Sequence, residues 1–411
     1  MLRAARPLTM CLLLMLPAIV LRFTGVDLVP PLSLVVYGVA VVAASFLLAW
    51  AAEAAEVDIS GGLAIALLAV IAVLPEYAVD LYFAYRAGDR QEYVQYAAAN
   101  MTGSNRLLLG LGWSVVVLIS LFVASRRTGK PVTMLILHPR YRIELGFLLI
   151  ASVAALLIPA TGEIHLILGF VLLAFFGFYL IRVSREDRSD GEEPELIGPA
   201  ARIGGLAASK RRPLVIGMFI GSAGAILACA EPFAESLIGS GSALNIDHFL
   251  LVQWLAPLAS EAPEFIVAIL FAVRGKAAMA LGTLVSAKVN QWTLLIGSLP
   301  VAYAIGGGSS ALVLDARQAE EMLLTGTQTL MGVAILLMLR FPGWAAWTLL
   351  GLFAVQFAIP GTHGRYLISA VYGVIALVSL INFRHQIRPT LMAPFRRQVK
   401  TRVRQPDNIL V

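Results

Sequence analysis

Apolar residues fall along this chain in long continuous blocks, without the strict alternation of half-buried strands. The blocks cover residues 8–21, 31–52, 61–85, 94–124, 143–159 and 164–181. After a polar stretch at 182–212 they resume at 213–238, 248–273, 277–305, 319–339, 343–359 and 365–381. Most are close to the ~20 residues that a helix needs to cross a bilayer. A membrane barrel would show short alternating segments instead. The pattern therefore predicts an all-α polytopic membrane protein with twelve spans. The first block follows Arg3 and Arg6 and resembles the apolar region of a signal peptide, but no small-residue cleavage site follows it, and it is read as a short retained span. The expected organisation is an N-terminal span or signal-like segment (1–30), two membrane halves (31–181 and 213–359) joined by a flexible cytoplasmic linker (182–212), and an extra span with a basic cytoplasmic tail (360–411).

Composition agrees with the blocks. A mean hydropathy of +0.83, with 59% hydrophobic and 14% charged residues, excludes an ordinary soluble domain. The net charge of +6 could suggest nucleic acid, but the basic residues lie between the blocks, where they orient the protein in its membrane. Loops 126–142, 182–212 and 274–276 and the tail are placed in the cytoplasm with both termini. Arg22, Arg86, Arg90, Arg317 and Arg365 are placed outside. The expected location is the plasma (inner) membrane, and the expected partners are the lipid bilayer and transported cations. Cys11 and Cys229 stand in apolar blocks without disulfide or zinc spacing. The five histidines have no metal-ligand spacing and are read as surface residues. The chain has no nucleotide-binding motif. Neither an enzyme nor an ATP-driven pump is indicated, no cofactor is expected, and oligomeric state stays open.

Two blocks carry acids at depth. Leu74-Pro75-Glu76-Tyr77-Ala78-Val79-Asp80 puts Glu76 and Asp80 on one helical face. Ser260-Glu261-Ala262-Pro263-Glu264 repeats the Pro-Glu pair and places Glu261 on the face of Glu264. Intramembrane acids are expensive and mark ion paths. Each proline also leaves a carbonyl unbonded four residues earlier, at Ile71 or Ala259, beside its glutamate. The block after each pair is small and polar, with Asn100, Ser104, Asn105 and Arg106 in the first and Thr283, Ser286, Lys288, Asn290 and Gln291 in the second. Small residues there permit close packing, while the side-chain oxygens can complete a hard-cation shell. Trp50 to Glu56 parallels Cys229 to Glu235, so the halves read as repeats. With five spans each they must be inverted, which makes the first and last spans additions to a five-plus-five core. Glu53, Glu56, Glu231 and Glu235 sit at equivalent helix ends, where they either draw cations to the two mouths or are ordinary charged termini.

Pro75-Glu76, Gly103-Ser104-Asn105 and Pro263-Glu264 resemble the α-repeats of the calcium/cation antiporter superfamily, whose best-known branch is the sodium/calcium exchangers. The resemblance implies ten core helices in inverted repeats, with Glu76 and Glu264 as principal calcium ligands. It also implies alternating access by sliding of the first span of each repeat. The chain departs from the family pattern. Asp80 and Ala268 stand where a hydroxyl is usual, and Leu108 replaces the second Asn of the motif. In the second repeat Ser286-Ala287-Lys288 stands for Gly-Ser-Asn, with Gln291 at the later Asn. Sodium sites do not carry over unaltered.

The leading expectation is a secondary antiporter that exchanges calcium or a similar cation for sodium or protons. Its alternatives are a sodium/proton exchanger on the same scaffold and a non-transporting membrane protein that retains the fold. Lys288 is read either as a tethered cation replacing a coupling ion or as part of a structural bridge, with Glu261 and Asp80 as candidate partners. The partner of Arg106 is left open.

Overall fold

A computed structural model describes residues 2–58, 73–184, 196, 198–359 and 361–396. The helices follow the apolar blocks. The first half contains α1 (Leu2–Thr24), α2 (Pro30–Ala55), α3 (Leu74–Asp89), α4 (Val94–Leu107), α5 (Ser114–Thr128), α6 (Arg142–Ala155), the short α7 (Leu157–Thr161) and α8 (Leu166–Ser184). After α9 (Gly198–Gly204), the second contains α10 (Ala208–Leu244), α11 (His248–Val273), α12 (Ala277–Asn290), α13 (Ile296–Ile305), α14 (Ala316–Leu336) and α15 (Gly343–Ala358). Then come α16 (Thr362–Asn382) and the short α17 (Arg384–Met392). Among the described residues, eight helices are long and apolar enough to cross a membrane. The protein is an integral, multi-pass membrane protein of helical inverted-repeat architecture. Residues 59–72 of the expected third span, including Ile71, lie outside the described residues.

The two repeats share a local irregularity. α4 passes into α5 through a π-helical turn, Leu108–Trp113, and α12 passes into α13 through another, Gln291–Leu295. Val94 and Ala277 open two helices of 14 residues each, and the spacing between them equals the 183 positions between Asn105 and Lys288. Single π turns cost hydrogen-bond geometry and recur at functional sites. Their repetition at one place in both halves identifies them as part of the repeat.

The chain divides into two compact units. One comprises Met1–Asn100, Leu180–Glu264 and Ala302–Ser309. Within it α2 and α10 form the most extensive helix pair, with α1 beside both. The shared face is lined by small side chains, Ala44, Ala51, Ala54, Ala225 and Ala230, that bring the backbones close. At the end of α2, Asp58 accepts Nε and Nη2 of Arg211 at 2.7 and 2.8 Å and Nε of Arg212 at 3.0 Å. α10 has 37 residues, or about 55 Å at 1.5 Å per residue, well beyond a hydrocarbon core of about 30 Å.

The other unit comprises Met101–Tyr179, Phe265–Val301 and Ser310–Val411. Its principal pairs are α14 with α16 and α15 with α5. Two short antiparallel ribbons join the repeats: β1 (Met134–Ile136) pairs with β4 (Arg340–Pro342), and β2 (Glu163–His165) pairs with β3 (Ala311–Val313). Leu135 faces Phe341 and Ile164 faces Leu312, and all four are fully buried. Exchanging the repeats turns one pairing into the other. Paired strands must share a membrane face, and the expected alternation of spans puts β1 and β4 inside and β2 and β3 outside.

Candidate functional site

In the first unit α3 starts at the Pro-Glu pair, with Pro75 in its first turn, where a missing N–H costs nothing. Glu76 is 6% exposed and Asp80 is completely buried one turn later. Among the described residues neither oxygen of Asp80 closes a well-formed hydrogen bond, and the Asn100 amide is the polar group that acts on it. Asn100 is itself fully buried. The second Pro-Glu pair is different: α11 runs unbroken through Pro257 and Pro263. Glu261 is buried and Glu264 partly so. All four acids and Asn100 belong to this unit. Among the described residues no three of His, Cys, Asp or Glu are grouped closely enough to hold a metal.

In the second unit Ser104, Asn105 and Arg106 follow on α4, all buried. The Ser104 hydroxyl closes no hydrogen bond among the described residues, while Asn105 Nδ2 donates to the Met101 carbonyl at 2.9 Å. From α12, Lys288 reaches Asn105. Its Nζ donates to the Asn105 carbonyl at 2.5 Å and to Oδ1 at 2.9 Å, and it lies 5.6 Å from the Trp292 ring centre. The ammonium is fully buried and so depends on such acceptors. Asn290 and Gln291 are buried at the start of the π turn. Ser286 donates to Glu144 Oε1 at 3.3 Å on α6. Thr283 is exposed and donates to the Met279 carbonyl at 3.0 Å.

Several polar residues here went unmarked by sequence reasoning. The partners of Arg106 are Glu321 at 2.6 Å and Gln356 at 3.1 Å. Glu320 and Glu321 stand at the head of an apolar block, where acids read as an ordinary helix start. Glu144 likewise sits two residues after Arg142 at a loop edge. Burial and arginine partners set Glu320 and Glu321 apart from charged helix ends, and a bond from Ser286 sets Glu144 apart. His248, read as a surface histidine, is partly buried and lies 3.1 Å from the Ser242 hydroxyl and 3.4 Å from that of Tyr96.

A family model described as "Sodium/calcium exchanger protein" matches residues 29–185 and 214–360, one stretch in each half. Among solved structures, the H+/Ca2+ exchanger CAX is 40% identical, with 96% of this chain and 98% of that chain covered and a TM-score of 0.87. The Ca2+/H+ antiporter protein YfkE shares the fold at 16% identity, 89% and 99% coverage and a TM-score of 0.59. The sodium-calcium exchanger NCX_Mj does so at 19%, 81% and 99%, with a TM-score of 0.52. No curated protein sequence matches. With the model matched in both repeats and a 40% identical relative aligned over nearly its whole length, the chain belongs to the sodium/calcium exchanger family of the calcium/cation antiporters.

Proposed function

We propose that the protein exchanges calcium for protons by alternating access, with Glu76 and Glu264 as the carboxylates that take the cation. Asp80, Glu261 and Asn100 supply further oxygens in the same unit. Calcium accepts six to eight oxygen ligands of mixed kind, and carboxylates with amide oxygens provide that chemistry. Ionised carboxylates are expensive to keep buried once the charge that balances them departs. When the cation leaves, these acids must be compensated, and protons can do this without another metal ion.

The observation that carries protons over sodium is the contact of Lys288 with Asn105. Asn105 belongs to the Gly-Ser-Asn motif, and both its oxygens receive the Lys288 ammonium. The lysine amine thus occupies acceptors that would otherwise be open to a sodium ion. The 40% identity to a protein described as an H+/Ca2+ exchanger supports the same reading.

Reconstituted protein tests it. In vesicles loaded with radiolabelled calcium, an imposed pH gradient should drive exchange and a sodium gradient at equal pH on both sides should not. Calcium movement driven by sodium alone would replace protons with sodium as the coupling ion. Sodium/proton exchange without any calcium movement would assign the scaffold to a different substrate.

A further inference from the structure

Four buried or half-buried charges in the second unit form a chain that ends beside Asn105. Arg365, in the first turn of α16, donates from Nε to Glu320 at 2.7 Å and lies 3.7 Å from Glu321. Glu321 contacts Arg106 at 2.6 Å, with the two side chains 5% and 3% exposed. The other arm of the Arg106 guanidinium donates to Gln356 on α15 at 3.1 Å. Deeper along the same helix pair, Gln328 of α14 donates to the Tyr372 hydroxyl of α16 at 3.3 Å. Two acids balance two guanidinium groups, and none of α14, α15 or α16 carries a Pro-Glu or Gly-Ser-Asn motif.

Stability alone is a weak reason for such an arrangement, because buried ion pairs can often be replaced by apolar side chains without loss. Geometry is a better one. A guanidinium is planar and presents donors in a rigid fork, so two partners on different helices fix its direction. Arg106 directly follows Asn105, whose side chain is also held at both ends, through Met101 and Lys288. Clamping Arg106 to α14 and α15 sets the rotation of α4 about its own axis. That rotation decides where Ser104 and Asn105 point.

We infer that Glu321 is a positioning residue for the polar segment of α4, and that α16, outside the five-plus-five core, braces it through Arg365. The inference rests on the calcium-exchange reading above. Glu321 acts through Arg106 and need not touch the cation. Turning α4 also turns Asn100, one of the proposed calcium oxygens, and partners one step behind a metal ligand commonly change affinity by about 10–100-fold when removed.

The test is calcium uptake by the reconstituted full chain, with maximal rate and apparent KM measured separately for protein that elutes as a single species. Glu321→Gln should raise the apparent KM for calcium about tenfold and leave the maximal rate within about twofold. Glu321→Asp should recover most of the loss. Arg365→Gln, one step further away, should give a smaller rise. An unchanged KM in folded Glu321→Gln would overturn the inference, as would a fall in maximal rate alone. Should that variant not fold, Gln356→Leu removes a neutral hydrogen bond to Arg106 and keeps the ion pair. An unchanged KM there would overturn it equally. Absence of calcium transport by the unmodified protein would instead refute the functional reading.

Discussion

Lys288 donates to both oxygens of Asn105, the residue that occupies its own place in the other repeat, 183 positions away. The two halves thus meet at equivalent residues that have become chemically different, one a neutral amide and the other a cation. A repeat carrying Asn at both places would present two amides and no fixed charge. The present chain has a built-in ammonium that loses its acceptors if Asn105 turns to a mobile ion.

Lys288→Asn should therefore increase sodium dependence. Calcium exchange by the unmodified protein is expected to be nearly indifferent to sodium at constant pH, and the variant should respond to it. Steep sodium dependence that is the same in both proteins would remove Lys288 from the coupling step. Lys288→Met separates charge from packing. It should fold less well, because it leaves the Asn105 oxygens buried and unpaired at a cost of about 1–3 kcal/mol.

Glu76→Gln and Glu264→Gln keep side-chain size but remove the charge that offsets calcium dehydration. Each should abolish calcium flux with little change in expression or in elution as a single species. Near-normal transport in either variant would move the principal ligand elsewhere.

The long apolar blocks made the helical architecture legible, and the paired Pro-Glu motifs made the repeat legible. Much else was hidden because it depends on partners far apart in sequence. Strands of three residues such as Met134–Ile136 and Arg340–Pro342 carry no periodic signal within a loop, and only their pairing defines them. The two Pro-Glu pairs look alike in sequence, yet Pro75 opens a helix and Pro263 lies inside one. A proline in the first turn frees no carbonyl, and one inside a helix is tolerated when neighbours satisfy the carbonyl it frees. Lys288 was recognisable as a buried charge, but Asn105 as its acceptor was not, since a carboxylate is the usual expectation. The partner of Arg106 was hidden for the opposite reason: Glu321 stands at the start of the apolar block 319–339, where an acid reads as an ordinary block edge, although the helix itself begins earlier, at Ala316.

The strand pairings make topology testable. Arg340→Cys on β4 and Lys130→Cys before β1 should both react only from the cytoplasmic face. Val313→Cys on β3 and Ser242→Cys at the end of α10 should react only from outside. All four positions are exposed. Opposite accessibility of Arg340 and Lys130 would break the pairing of β1 with β4. Consistent reversal of all four would invert the protein in its membrane and leave the fold intact.

The Asp58 clamp gives a pH dependence. Hydrogen bonds from Arg211 above all, and from Arg212, hold the Asp58 carboxyl well below the usual carboxylate range. A depressed folded-state value means that the contribution to stability is complete above the unfolded value of about 3.9 and is lost as pH falls through the folded one. Asp58→Asn should lower the melting temperature by the same amount from pH 8 to pH 5, and the gap should close only in stronger acid. A gap that closes between pH 7 and pH 5 would show that the clamp contributes differently.

Glu231 and Glu235 lie inside α10, which runs on to Leu244, and not at a helix end as expected; they offer a final test, of whether such acids attract cations. Glu231 is not an isolated negative charge, because Arg22 of α1 bonds it at 2.7 Å with the two side chains 49% and 42% exposed, respectively. Glu235, one turn on, accepts the hydroxyls of Tyr82 and Tyr93 at 2.6 Å each. An exposed pair of this kind holds little energy, about 0–1 kcal/mol, but it cancels a local field. Removing one member leaves the other uncompensated. Glu231→Gln should therefore raise the apparent KM for external calcium, Arg22→Gln should lower it, and the double variant should return to the starting value. Both shifts should shrink at physiological salt, where charges are screened over about 8 Å. Equal and salt-independent KM values in the four proteins would mean that these charges form only a structural pair. A shift in Glu231→Gln that persists in the double variant would mean that Glu231 acts on the cation directly and not through the field it shares with Arg22.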